Sequence, residues 1–88
     1  MIVRILGEGR YEVPDADLSA IEQLDTRLVD AMERSDEAAF SVTLAGLIGE
    51  VRRKGTLLPP EDLRTSELAV PHEGSTLAEV RSLLSQET

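Results

Sequence analysis

The feature that most constrains this chain is an apolar stripe in the stretch Ser35 to Lys54. Phe40, Leu44, Leu47, Ile48 and Val51 fall at i, i+4, i+7, i+8 and i+11, one face of an α-helix. A preceding stretch from Asp15 carries Leu18, Ile21, Leu24, Leu28, Val29, Ala31 and Met32. These cover nearly half of a helix, an arc wider than a two-helix seam needs. The spacing therefore predicts a helical hairpin over roughly Asp15 to Lys54, with the first helix touching both the second helix and a sheet.

The sheet is read on either side of that hairpin. Met1 to Leu6 is apolar and β-branched, a strand by propensity, and Tyr11 to Val13 returns as a second. Gly7, Glu8 and Gly9 supply the turn, since glycine tolerates the positive φ of tight hairpins. A two-residue turn at Glu8 and Gly9 sets Leu6 opposite Tyr11; a longer loop shifts that register. Pro14 ends the ladder because it has no N–H to donate. Leu68 to Val70, stopped by Pro71, is a short third strand. Pro59 and Pro60 forbid a helix through that point, and Pro60 to Leu63 has the composition of a single helical turn. Thr76 with Glu79 is a capping box for a terminal amphipathic helix carrying Leu77, Val80, Leu83 and Leu84, with fraying expected from Ser85 to Thr88. The expected fold is α+β: an N-terminal β-hairpin, two long antiparallel helices, a short third strand and a short C-terminal helix, forming one domain over 1–88.

Helix ends admit more than one reading. Asp15 is a candidate N-cap for the first helix, with Asp17 at the positive end of its dipole, and Ser19 with Glu22 is an alternative capping box. Asp15, Asp17 and Ser19 do not make a calcium loop, because Ala20 and Thr26 stand at the glycine and bidentate positions such a loop requires. Ser35 is a candidate cap for the second helix. Arg52, Arg53 and Lys54 close that helix, where cations suit the negative dipole end without any bound phosphate.

With 88 residues, a core is feasible but thin, because a chain this short buries only about two-thirds of its unfolded surface. Tyr11 and Phe40 are the only aromatics, so the core must be aliphatic. There is no cysteine, hence no disulfide or thiolate site. No apolar run approaches the roughly 18 residues of a membrane span, and the first residues lack the pattern of a signal peptide. A cytoplasmic protein is expected. The net charge of −8 opposes direct contact with nucleic acid or anionic lipid and leaves a basic protein partner open. His72 is the sole histidine, and no nucleophile is tied to it by any motif. No catalytic, cofactor or metal residues are expected, and no enzyme.

One face of the second helix is less easily accounted for. Val42, Ala45, Gly46 and Gly49 lie opposite the apolar stripe. An interior helical glycine costs about 1 kcal/mol against alanine. Small side chains let another backbone approach closely, either the chain's own C-terminal segment or another chain. Asp30, Glu33 and Glu50 are candidate acidic neighbours that would steer a basic partner.

The run Met1-Ile2-Val3-Arg4-Ile5-Leu6-Gly7-Glu8-Gly9, followed by Tyr11-Glu12-Val13-Pro14, resembles the start of the PspA-associated PspAA family. The likeness continues through Asp36 to Phe40, Leu58-Pro59, Ser66 to Leu68 and Leu77 to Arg81, so it spans most of the chain. Arg10 departs from the glutamine expected there. The resemblance implies a small accessory protein encoded beside a homologue of phage-shock protein A, a membrane-stress effector. It implies a PspA-like coiled-coil partner, recruitment to the membrane through that partner, and no catalytic residue. A homodimer is the companion expectation. Two other classes stay open: an acidic regulator that mimics nucleic acid on a basic protein, and a small enzyme with an unrecognised carboxylate site.

Overall fold

The protein is described by a computed structural model covering residues 1–86, with side chains through Ser82. The chain runs β1 (Ile2–Ile5), β2 (Gly9–Glu12), a 3-10 turn (Asp15–Asp17), α1 (Leu18–Glu33), α2 (Glu37–Lys54), β3 (Thr56–Leu57), β4 (Leu68–Val70) and α3 (Leu77–Gln86). The four strands form one sheet in the order β3-β2-β1-β4, antiparallel except where β4 lies parallel to β1. This is the α+β arrangement read from the sequence, with one addition. Strand β3 is only two residues long, too short to leave a period in the sequence.

The hairpin register follows the longer loop. Ile5 opposes Gly9 and Val3 opposes Tyr11, so Leu6 lies in the turn and not in the ladder. The Glu8 amide closes the loop on the Ile5 carbonyl at 3.0 Å, with Gly7 at φ 81°. That register sends Val3 and Ile5 to one face of the sheet, where Val70 joins them from β4. Helices α1 and α2 cover this face. Ile21, Leu28 and Ala31 of α1 meet the full stripe of α2, Phe40, Leu44, Leu47, Ile48 and Val51, in a single buried cluster. Leu77 and Val80 of α3 complete it. Val29 of α1 does not join; it stays 45% exposed, which accounts for part of the excess width of the α1 arc.

The starts of α1 and α2 differ from those expected. Pro14 precedes the 3-10 turn and Asp17 precedes α1, neither with a side-chain cap, so Asp15 does not cap the helix and Ser19 falls inside it. At the other end, Ser35 takes φ 55° and terminates α1. The Ser35 amide bonds the Met32 carbonyl and the Asp36 amide bonds the Ala31 carbonyl, the double closure of a helix that ends in a left-handed residue. With Ser35 used in this way, Asp36 caps α2, its carboxylate accepting from the Ala39 amide at 3.0 Å. Arg81 of α3 donates to the Met32 carbonyl and the Ser35 hydroxyl, fastening the third helix to this corner.

Strands β3 and β4 occupy opposite edges, so the segment joining them must cross the sheet. The helices fill one face, and the link takes the other. Arg10, which projects to that face, donates to the carbonyls of Asp62 and Arg64 in the link. Arg64 in turn pairs with Glu12 at 2.8 Å and with Asp62 at 2.9 Å. Ile2, on the same face, is buried, and its carbonyl accepts from the Glu67 amide. Residues 58–67 thus form a strap. Pro60 and Glu61 make a turn in it, closed by the Asp62 amide on the Pro59 carbonyl, and no helical turn forms. The expected capping of α3 is present, with the Glu79 amide on Thr76 Oγ1, and Glu37 of α2 accepts from the Leu77 amide. The helix continues through Gln86, past the Ser85 start of the expected fraying. The side chains of Leu83 and Leu84, and residues 87–88, lie outside the described residues.

Candidate functional site

The four small residues singled out in α2 share one exposed surface. Val42 is 74% exposed, and Ala45, Gly46 and Gly49 are exposed beside it. Ala38 and Ser41 extend the surface toward the N-terminus of the helix, so its exposed residues from Ala38 to Gly49 carry no charge. A Cβ placed on Gly46 or Gly49 would meet nothing within 4 Å. The chain's own C-terminal segment does not pack against these glycines among the described residues. It docks at the other side, where Val80 enters the core and Arg81 holds the α1–α2 corner.

Gly55 shows what a glycine required by packing looks like. A Cβ there would stand 2.6 Å from the Val51 carbonyl and 3.0 Å from Tyr11 Cβ, so the end of α2 reaches β2 only without a side chain. Gly46 and Gly49 have no such neighbour, and both lie in regular helix, where glycine is the poorer former. Nothing within the described fold calls for glycine at either position.

The acidic residues named with this face are dispersed and partly neutralised. Asp30 pairs with Arg34 at 2.9 Å, and Glu50 pairs with Arg53 one turn along α2. Glu33 sits with Asp25, Thr26, Val29 and Asp30 around a shallow depression on α1. A steering field therefore comes from the overall charge of −8 more than from these three side chains.

The basic end of α2 is fully engaged. Arg52 grips Glu8 through two nitrogens and reaches Glu73 at 3.1 Å, Arg53 holds Glu50, and Lys54 lies 4.0 Å from Asp17. Tyr11 donates to the same Glu8 carboxylate at 2.6 Å. With a guanidinium and a phenol both directed at it, Glu8 is pulled down to about 2, and the tyrosine hydroxyl is pushed above its ordinary range by the same contact. This cluster ties the hairpin turn to the end of α2 and to the loop before α3. It is a fastening and offers no free cation to an anionic ligand.

His72 lies in that same loop, half exposed, its Nδ1 3.1 Å from the Glu73 carbonyl and its Nε2 3.6 Å from Glu79. Among the described residues no group of three or more metal-ligating side chains converges. No helix among them is long and apolar enough to cross a membrane. An apolar concavity between α1, β4 and α3 was not legible in the sequence, because it is assembled from three separate elements.

Compared with known families, residues 1–88 match the family model described as PspAA, PspA-Associated protein. No curated protein and no solved structure matches the chain.

Proposed function

The chain belongs to the PspA-associated PspAA family, and on that premise we propose that it is a non-enzymatic module that binds a PspA-like coiled-coil protein in envelope-stress control. Membership supports the accessory role. The contact surface is our own assignment: Val42, Ala45, Gly46 and Gly49 of α2. The observation that carries it is the pair of glycines that no backbone angle or internal contact requires. Such a face suits a partner that is itself a long helix, because small residues let two helix axes approach closely. The net charge of −8, with Asp30, Glu33 and Glu50 at the flanks, would speed encounter with a basic stretch, an effect that salt weakens. A domain so charged, with no helix among the described residues long and apolar enough to cross a membrane, would reach an anionic membrane through its partner and not by insertion. The protein would accordingly act in the cytoplasm, at the membrane surface when recruited. In the absence of the partner, a second copy would use the same face.

The test is co-purification with a PspA homologue, using the native chain, Gly46→Glu and Gly49→Glu. Because open space surrounds both positions and glycine is the poorer helix former, each variant should melt no lower than the native chain. The native chain should associate at low salt and each variant should lose association by at least about tenfold. Absence of association by the native chain sinks the partner assignment. Association that survives both substitutions keeps the partner and rejects the face.

A further inference from the structure

A groove of about 230 Å³ lies where α1, β4 and α3 meet. Leu28, Val29 and Met32 line it from α1, Pro71 from the end of β4, and Val80 from α3. Its polar members are few. Asp25 is the only ionisable residue in the lining, and Ala69 contributes from β4.

Three properties of this groove point the same way. Strand β4 is an edge strand, bonded only to β1. Successive residues of a strand direct their backbone groups to opposite edges. The Val70 carbonyl accepts from the Leu6 amide across the β1–β4 ladder, so Ala69 turns its N–H and C=O to the free edge. Ala69 is exposed, and its side chain is too small to shield those groups. Next to it stands Val29, one of the large apolar side chains left in solvent. Then there is Asp25: burial without a compensating cation raises its carboxyl above the ordinary carboxylate range. Among the described residues Asp25 makes no hydrogen bond or ion pair. Basic side chains on neighbouring turns are engaged elsewhere, Arg34 with Asp30 and Asp36, and Arg81 with the Met32 carbonyl and Ser35. Arg27 lies with Ser19, Glu22, Gln23 and Thr26 in a different depression. The groove also opens onto the α1 depression that carries Asp30 and Glu33, since Asp25 and Val29 line both.

We propose that this groove is a strand-addition site for an extended segment of a partner protein in which a lysine or arginine stands two residues from an aliphatic residue, so that both side chains face α1. The segment pairs its backbone with Ala69, lays an aliphatic side chain against Val29, Met32 and Pro71, and sets its cation on Asp25. Edge backbone supplies the affinity common to any extended chain; the apolar lining and the carboxylate select the sequence. The inference uses none of the residues assigned to the α2 face, and its test is independent of that reading.

The probe is a synthetic peptide with a valine-serine-lysine-serine-valine centre flanked by serine and glycine, titrated into the isotope-labelled full chain and followed by amide chemical shifts. Saturable shifts are expected at residues 25–32, 68–71 and 77–81. Asp25→Asn should weaken binding about fivefold or more, the effect of removing a charged partner. Ala69→Pro should weaken it at least about tenfold: the lost N–H faces solvent, so the ladder to β1 keeps its bonds. Val29→Lys, which leaves the strand untouched, should abolish binding should the proline variant fail to fold. The inference is overturned by absence of saturable shifts at millimolar peptide. It is overturned equally by unchanged affinity in Ala69→Pro and Val29→Lys, or by equal binding of a peptide with glutamate in place of lysine. Self-association of the chain that vanishes in Ala69→Pro would assign the groove to a second copy and overturn the partner.

Discussion

At the scale of single residues, two carboxylates pull stability in opposite directions with pH. Glu8, held by Arg52 and Tyr11, is lowered from 4.5 to about 2 in the folded chain. A depressed carboxyl contributes stability above its unfolded value and loses it as pH falls through the folded one. The Glu8 contribution should therefore be complete near neutrality and disappear between about 4.5 and about 2. Asp25 is raised by burial, so its ionised form weakens the fold, and protonation relieves that cost. Melting Glu8→Gln and the native chain from neutral pH down to acid checks the first statement. The variant should be less stable at neutral pH, and the gap should close in acid. A gap that stays constant with pH would show that the Arg52 contact does not survive in solution.

At the scale of elements, α2 organises the fold because its five stripe residues meet both α1 and the sheet. Leu47 is fully buried at the middle of that stripe. Leu47→Ala should cost about 2–5 kcal/mol, by lost transfer energy and the cavity left behind. In a domain whose whole stability is of order 5–15 kcal/mol, that is enough to depress folding severely. A denaturant titration measures it, and an unchanged midpoint would mean that the stripe does not face the core. The strap depends on polar anchors instead. Leu63 is 92% exposed in it, so apolar burial does little to hold it down there. Arg10→Ala removes both donors to the Asp62 and Arg64 carbonyls. Amide exchange in 58–67 should then accelerate at least about tenfold, while α1 and α2 exchange as before. Equal acceleration throughout would show that the strap does not open separately from the core.

At the scale of the whole molecule, the thin core and the two unfilled surfaces bear on oligomeric state. A chain of 88 residues with aliphatic packing has little reserve, and covering the glycine face of α2 would add to it. We expect a dimer through that face when no partner is present. Sedimentation at high micromolar concentration should give twice the chain mass for the native protein and the single-chain mass for Gly46→Glu. A native monomer at that concentration counts directly against self-association.

Local chemistry was enough to determine most of the element types. The period of Phe40 to Val51 identifies α2 and its buried face, the β-branched start and Pro14 bound the hairpin, and Thr76 with Glu79 starts α3. These signals act over a few residues, where backbone sterics and side-chain spacing are decisive. The N-terminal motif likewise carried the family. The exact caps were not legible, because Ser35 and Asp36 are both competent and only the left-handed closure of α1 decides which one caps α2. Tertiary structure alone placed β4 parallel beside β1 and sent residues 58–67 across the back of the sheet. It also recruited Arg10 to hold them there and left Val29 and Asp25 lining a groove with Ala69. Each of these joins residues distant in the chain, and such contacts depend on which surfaces remain after the helices have covered one face of the sheet. For the same reason, α2's periodicity could not say whether Gly46 and Gly49 face the chain's own C-terminal segment or open space.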